Sequence, residues 1–474
     1  MIFSSPEFVF LFLPAVVLLY YLLLRLRRGS LVAPFIFAAS LFYYAWWRPQ
    51  NIWIILASIA VNYGLGQAMS RATRRGAWLA LGVTLNLGAL AYYKYADFAL
   101  TTINSLLGSS LPMRHIILPI GISFFTFQQI AYLADIYTGK HDPSQAGEGF
   151  IDYCCFVCFF PQLVAGPIVH HQEMMPQFHA SRKQGVNWEN IFNGLVMFSM
   201  GLAKKVIIAD QLSPVSRLCF DSIPSMSFLE ALVGSLCYTF QLYFDFSAYS
   251  DMAIGAALFF NIHLPWNFNS PYKATNIQDF WRRWHITLSR WLKDYLYIPL
   301  GGNRRGPGRT LINLFLTFLL GGLWHGAAWT FVLWGALHGA ALVAHRVWSK
   351  AGLTLPGLLG RALTFGFVSM AWVLFRAPDM GRLGLFCDAF SGRNGFVLSE
   401  GFRKGVRGVL NGSFHVMLIG LALVFILALF APNSSDVLRW PERGKLWLAV
   451  FLSIVAVLFI CLPTAYPEFI YSQF

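Results

Sequence analysis

Residues 321–339 have the sequence GGLWHGAAWTFVLWGALHG, which is apolar enough for a lipid bilayer yet contains two histidines, His325 and His338. The rest of the chain shares this apolar character, because 57% of its 474 residues are hydrophobic and 12% are charged. Soluble domains carry about 25% charged residues. The composition therefore predicts an integral membrane protein.

Apolar runs long enough for transmembrane helices recur along the whole chain. The first run, 7–27, has its positive charges after the apolar residues and no small-residue cleavage site, so we expect a first membrane helix and not a cleavable signal peptide. Basic clusters alternate with the later runs, which predicts that Arg25, Arg27 and Arg28 lie on the cytoplasmic side. Pro and Gly interrupt several runs, and irregular backbone at membrane depth needs a protein-lined interior.

We therefore expect an all-α, polytopic membrane protein with roughly 11–13 transmembrane or re-entrant helices around a central tunnel. The long run 227–261 predicts a tilted or broken pair of helices. No soluble domain is evident, so residues 1–474 are predicted to form one membrane domain. Its informative motifs lie within about 115–350, and 351–474 is a less diagnostic helical tail.

Charge and cysteine content exclude several classes of function. The net charge is +14, but the basic residues cluster between apolar runs, as the positive-inside rule expects, so we expect no nucleic-acid partner. The seven cysteines are odd in number and lie mostly in apolar runs, which argues against a disulfide framework. The CxxC spacing at Cys155 and Cys158 lies in an aromatic run, so buried packing cysteines are expected there and no metal site.

A second informative stretch runs from 274 to 309. Asn276 can cap a helix that ends at Pro299, and Trp281, Trp284 and His285 would share its apolar face. Such a basic amphipathic helix is typical of the cytoplasmic interface, where its arginines would meet lipid phosphates. The following GGNRRGPGR is either a plain loop or a cradle for a phosphorylated ligand.

Two further features are polar groups within apolar runs. Asp245 and Asp251 lie in YTFQLYFDFSAYSDMAIG, where a carboxylate indicates a functional site or a paired charge. His325 and His338 are 13 residues apart, which on one helix is about 220° of rotation and predicts opposite sides. His325 is the candidate general base, because a buried neutral imidazole can accept a proton near pH 7. His338 is interpreted as structural.

Five motifs in order resemble the membrane-bound O-acyltransferases (MBOAT family), within it the bacterial branch of alginate O-acetyltransferase membrane subunits. They are MIFSSPEFVFLFLPAVVLLYYLLL, LPIGISFFTFQQIAYLADIY with FFPQLVAGPI, YFDFSAYSDMAIG, DFWRRWHITLSRWLKDYLYIPLGG and GGLWHGAAWTFVLWGALHG. The resemblance covers most of residues 1–350. It implies transfer of an acyl group from a thioester to a hydroxyl, inside a membrane-embedded tunnel.

The resemblance also implies roles for individual residues. His325 corresponds to the family's acyl-transfer histidine, and His285 to its second polar position, so these two are the predicted catalytic residues. Trp324, Trp284 and Asp245 are predicted to support them. Arg282, Arg283, Arg304 and Arg305 are predicted to meet the phosphates of the donor.

In that branch the donor is cytoplasmic and the sugar acceptor is periplasmic. The resemblance thus implies an inner-membrane, multi-pass enzyme that uses acetyl-CoA, needs no permanently bound cofactor, contacts membrane lipids, and works with a periplasmic SGNH-hydrolase-like acetyltransferase subunit. The acceptor would be an exopolysaccharide such as alginate or cellulose, or else peptidoglycan. Two alternatives remain from the residues alone: a polysaccharide or solute transporter that uses Asp245 and Asp251, and a non-catalytic scaffold of an acetylation complex.

Overall fold

The computed structural model of the chain describes residues 1–46, 48–143, 149–410 and 412–461. All regular segments in these ranges are helical, and they contain no β-strand. The predicted all-α fold is therefore confirmed. The described chain divides into two compact units.

The first unit comprises residues 1–199 and 249–266. Its helices are α1 (Leu13–Arg25), α2 (Gly29–Ala45), α3 (Ile52–Arg71), α4 (Arg75–Leu90), α5 (Ala96–Leu107), α6 (Ile122–Tyr137), α7 (Phe150–Cys158), α8 (Phe160–Leu163), α9 (His171–Ser181) and most of α10 (Trp188–Ala203).

The second unit comprises the described residues of 200–248 and 267–461. Its helices are α11 (Asp210–Arg217), most of α12 (Phe228–Leu258), α13 (Ile277–Arg283), α14 (Ile286–Leu292), α15 (Pro307–His325), α16 (Trp329–Lys350), α17 (Gly357–Arg376), α18 (Met380–Phe390), α19 (Glu400–Leu410), α20 (Phe414–Phe430), α21 (Ser434–Val437) and α22 (Glu442–Cys461). Both candidate catalytic histidines, His285 and His325, belong to this unit.

Several helices run directly into short segments of wider, π-helical turn. These segments are Glu7–Phe12, Ala91–Tyr95, Lys204–Ala209, Leu218–Ser222 and Lys293–Tyr297. Two short 3₁₀ segments, Pro49–Asn51 and Pro271–Lys273, complete the helical structure. Such π-turns are rare and often occur at functional sites. The turn at Lys204–Ala209 contains a buried lysine, Lys205.

The described residues include five helical stretches that are long and apolar enough to cross a membrane, or six if α19 and α20 form one bent span. They are Glu7–Arg25, Pro49–Arg71, Trp188–Ser222, Gly357–Arg376 and Glu442–Ile460. The chain is therefore a multi-pass membrane protein. The larger count of 11–13 segments, the central tunnel and the single domain stay predictions.

Helix α12 differs from the pair of helices expected over 227–261. It is one continuous α-helix of 31 residues, so a broken pair is wrong. At 1.5 Å per residue the helix is about 46 Å long, which exceeds the hydrocarbon thickness of about 30 Å. A helix of this length has to tilt or extend beyond the hydrocarbon core.

Helices α15 and α16 form a tight hairpin that carries His325 at its turn. A Cβ atom on Gly322 would lie 2.6 Å from the Gly335 Cα, and one on Gly335 would lie 2.6 Å from the Phe318 carbonyl oxygen. Small residues allow such close backbone approach between membrane helices. The glycines of GGLWHGAAWTFVLWGALHG thus bring the two helices together.

Gly335→Ala is expected to destabilise the protein by about 1–3 kcal/mol, because the added methyl group meets backbone atoms that cannot move alone. Thermal unfolding of the purified protein in detergent measures the change. Gly366→Ala on α17 is the matched control, since a Cβ there meets nothing within 4 Å. Equal melting temperatures for the two variants would contradict the close-packing explanation.

Candidate active site

His325 is the last residue of α15, where the helix ends in the extended Gly326. The side chain is 5% exposed. Its ring lies 4.9 Å from the Trp324 ring, 5.1 Å from Trp334 and 5.2 Å from Phe375, measured between centroids. The predicted base is thus buried among aromatic side chains, beside the predicted supporting residue Trp324.

His285 lies at a break between two short helices, not within one long helix. Helix α13 ends at Arg283, α14 begins at Ile286, and His285 adopts the left-handed conformation with φ of +43°. Such a conformation costs a non-glycine residue about 1–3 kcal/mol and is often found at functional sites. The N-cap predicted at Asn276 is confirmed, since its side-chain oxygen accepts a 2.8 Å hydrogen bond from the Asp279 N–H.

The single amphipathic helix expected between Asn276 and Pro299 is therefore wrong. The tryptophans of this segment do not form an exposed face on the membrane surface, because Trp281, Trp284 and Trp291 are at most 7% exposed. The left-handed turn at His285 changes the direction of the chain, so side chains that periodicity assigns to one face separate. The three tryptophans are buried by packing against other parts of the protein.

Asn267 orients the ring of His285. Its side-chain oxygen accepts hydrogen bonds from the Thr287 N–H at 3.4 Å and the Thr287 hydroxyl at 2.9 Å, and it lies 3.0 Å from His285 Nδ1. Because the Thr287 N–H can only donate, the atom that faces it is the amide oxygen. His285 Nδ1 therefore donates to Asn267, and a neutral His285 carries its lone pair on Nε2.

Four indole rings, here called the tryptophan cluster (Trp281, Trp284, Trp334 and Trp372), connect the segments of the site. Trp284, the neighbour of His285, lies 4.9 Å from Trp372, which stacks on Trp334 at 5.7 Å. Trp334 in turn contacts His325. The structure thus brings the residues around His285 and His325 into one buried aromatic core, although they are far apart in sequence.

His338 also joins this core, which corrects the prediction that it faces away from His325. The two histidines belong to different helices because residues 326–328 interrupt the helical run, so rotation along one helix does not apply. Trp281 donates a 3.2 Å hydrogen bond to His338 Nδ1, and the His338 ring lies 4.6 Å from Trp334. His338 therefore ties α13 to α16 and contacts the indole that packs on His325.

Asp245 is a paired charge. Lys205 lies between two carboxylates, with its Nζ 2.7 Å from Asp245 Oδ1 and 2.8 Å from Asp210 Oδ1. The side chains of Lys205 and Asp245 are 4% and 1% exposed. The next residue along α12, Phe246, packs edge-on against His285 at 4.7 Å.

The sequence patterns considered above did not predict this buried charge cluster, although the sequence contains an indication of it. Lys205 lies in the apolar run GLAKKVIIAD, and a lysine in such a run needs a buried acid. Asn267 and Trp372 gave no such signal, because neither residue type is unusual in its local sequence.

The four arginines assigned to the donor are not equivalent. Arg282, Arg304 and Arg305 are exposed. Arg283 is already engaged, since its Nε lies 2.9 Å from Asp279 Oδ1 and its Nη1 donates to the Asn269 carbonyl at 3.3 Å. Their contact with a donor stays a prediction.

Comparisons with known proteins show the family to which the chain belongs. Residues 146–354, which include His285 and His325, match the family model of the membrane-bound O-acyltransferases. The chain is 47% identical over 428 residues to a peptidoglycan O-acetyltransferase of Helicobacter pylori, covering 84% of this chain and 81% of that protein.

Two other relatives carry different names. A protein of Pseudomonas aeruginosa named probable alginate O-acetylase is 40% identical over 89% of this chain and 81% of its own length. A teichoic acid D-alanyltransferase of Bacillus subtilis is 25% identical over 62% of this chain and 82% of that protein. With such identity over most of its length to named O-acetyltransferases, this chain belongs to the membrane-bound O-acyltransferase family.

Proposed function

We propose that this protein takes an acetyl group from cytoplasmic acetyl-CoA and passes it across the inner membrane, where a partner places it on a hydroxyl of a polysaccharide. The observation that carries the proposal is the pair of buried histidines, His285 and His325, which both lie in the range that matches the family and are joined through the tryptophan cluster. The relatives named for acetyl transfer to peptidoglycan and to alginate support acetyl as the group and a glycan hydroxyl as the acceptor class.

The chemistry needs a base and no metal. A hydroxyl is a weak nucleophile until a base takes its proton. In the proposed step, His325 takes that proton while the oxygen attacks the thioester carbonyl carbon. The C–O bond of the ester forms, the C–S bond breaks, and the proton passes to the departing thiolate. His285, with its lone pair on Nε2, accepts a hydrogen bond from a protonated group in the same site.

A periplasmic partner completes the proposal. We propose that an SGNH-hydrolase-like acetyltransferase subunit receives the acetyl group and places it on the polymer, with alginate or cellulose as exopolysaccharide acceptors and peptidoglycan as the other glycan. The arginines Arg282, Arg304 and Arg305 are exposed and cationic, which supports a role in meeting the phosphates of acetyl-CoA.

The test is isotopic. Inverted membrane vesicles from cells with and without the protein are supplied with acetyl-labelled acetyl-CoA, and mass spectrometry then follows label into exopolysaccharide and peptidoglycan fragments. We expect label in a glycan ester only where the protein is present. Label-free glycans in vesicles that contain the protein and its partner would contradict acetyl-CoA as the donor.

Asn267→Ala is expected to lower the rate of acetyl transfer by about 10²-fold, because a misoriented catalytic group loses most of its effect. The variant leaves His285 Nδ1 without the oxygen that fixes its ring and tautomer. Asn276→Ala is the control: it removes a helix cap, costs about 1 kcal/mol of stability and leaves the His285 contact intact. A comparable loss of rate in both variants would contradict the orienting role of Asn267.

A further inference from the structure

A groove in the first unit lies between the end of α1 and the segment that follows α9. It has a volume of about 560 Å³. Part of its lining is apolar and comes from Leu18, Leu22 and Leu24 of α1. Its charged lining consists of Arg25, Arg182 and Lys183, all of them basic. None of the described residues that line it is acidic.

The backbone around the groove is held by buried contacts. The Tyr20 hydroxyl lies 3.2 Å from both the Ser181 and Phe260 carbonyl oxygens, and the Tyr21 hydroxyl donates to the Phe259 carbonyl at 2.9 Å. The contact with Ser181 joins α1 to the segment that contributes Arg182 and Lys183, and the contacts with Phe259 and Phe260 join α1 to the residues that follow α12. The groove is therefore a built feature of the fold and does not depend on the chance position of surface side chains.

A glycine allows a further close approach. At Gly29, the first residue of α2, a Cβ would lie 2.7 Å from the Arg182 carbonyl oxygen. The start of α2 thus packs directly on the backbone of Arg182. Contacts from α1, through Tyr20, and from α2, through Gly29, therefore both hold this part of the chain.

Of the three cations that line the groove, Arg25 and Lys183 form no ion pair with the residues that the structure describes. Arg182 forms an ion pair with the buried Asp152. Arg25 and Lys183 complete the basic lining, and α1 carries leucines that are strongly exposed beside them, with Leu18 71% and Leu22 47% exposed. Exposed leucines along α1 can contact apolar acyl chains, and the cations at the end of the helix can bind an anionic headgroup. The surface is therefore complementary to an anionic lipid.

We propose that this groove binds an anionic phospholipid, with the headgroup phosphate at Arg25 and Lys183 and the acyl chains along Leu18 and Leu22. Basic pockets between membrane helices on the cytoplasmic side commonly take such headgroups. The basic cluster Arg25, Arg27 and Arg28 is expected on that side by the positive-inside rule. The ligand is a membrane lipid and not the acyl donor, so the proposal does not depend on the proposed reaction.

Native mass spectrometry of the purified full-length protein in detergent tests the proposal. The probes are palmitoyl-oleoyl phosphatidylglycerol and palmitoyl-oleoyl phosphatidylcholine, which share acyl chains and differ in head charge. We expect phosphatidylglycerol to bind the unmodified protein more tightly, and the double variant Arg25→Gln, Lys183→Gln to weaken its binding by about tenfold. The double variant Arg27→Gln, Arg28→Gln removes the same charge outside the groove and is expected to bind normally.

Three results would overturn the proposal. Equal binding of the two lipids would show that the head charge is not recognised. Equal losses in the two double variants would show that only the general charge of this face matters. Displacement of phosphatidylglycerol by millimolar inorganic phosphate would assign the cations to a free anion. Thermal unfolding of each variant is measured alongside, and a groove variant that melts as the unmodified protein does while losing phosphatidylglycerol supports the assignment.

Discussion

Cells that carry His325→Gln are expected to lose O-acetylation that depends on this protein by about 10²–10⁴-fold, the contribution typical of a positioned base. The His325 ring is enclosed by Trp324, Trp334 and Phe375. Glutamine has a polar side chain but cannot take a proton at neutral pH. The substitution therefore removes the proposed base while leaving less empty space among these rings than alanine would.

Mass spectrometry of the polymer, with the amount of protein in the membrane measured in parallel, gives the readout. The matched control is His345→Gln on α16, where the imidazole is half-exposed and its Nε2 lies 3.5 Å from the Ser349 hydroxyl. That variant is expected to acetylate normally. Normal acetylation by His325→Gln at ordinary protein levels would exclude His325 as the base.

Lys205→Met is expected to cause the largest loss of stability, about 3–5 kcal/mol, because it removes the cation shared by the buried Asp245 and the largely buried Asp210. Removal of one partner from a buried ion pair is costly, whereas neutral replacement of the whole group can cost little. The triple variant Lys205→Met, Asp210→Asn, Asp245→Asn is therefore expected to recover much of the lost stability. Thermal unfolding of the purified proteins measures both effects.

The adjacent lysine supplies the control. Lys204 is half-buried, and it donates a 2.7 Å hydrogen bond to the Ser434 hydroxyl. Lys204→Met is expected to lower the melting temperature less than Lys205→Met does. If the two single variants melt alike, or if the triple variant is no more stable than Lys205→Met, the charge cluster does not stabilise the fold as proposed.

Helical class, membrane character and family were all predictable from the sequence. Apolar runs of sufficient length allow few structures in a bilayer, since each backbone polar group must be satisfied within the protein. The relationship to named acyltransferases also confirms the predicted enzyme class over the transporter and scaffold alternatives. The cap at Asn276 was predictable as well, because it depends on residues three apart.

Periodicity failed where the backbone leaves the regular helix. The left-handed turn at His285 and the break at Gly326 each change which side chains share a face. The π-turn that contains Lys205 likewise alters the helical spacing. Sequence patterns assume constant rotation per residue, so they misplace side chains beyond each such point.

By itself, the sequence determined which residue types are available for chemistry: two histidines in recognisable motifs, an aspartate in an apolar run and tryptophans nearby. Only the tertiary structure decided their partners. It joins His285 to Asn267, Asp245 to Lys205, and His325 to Trp334, pairs that bring together separate segments of the chain. The physical reason is that burial requires every polar group to find a partner, and the partner is set by how the helices pack and not by distance along the chain.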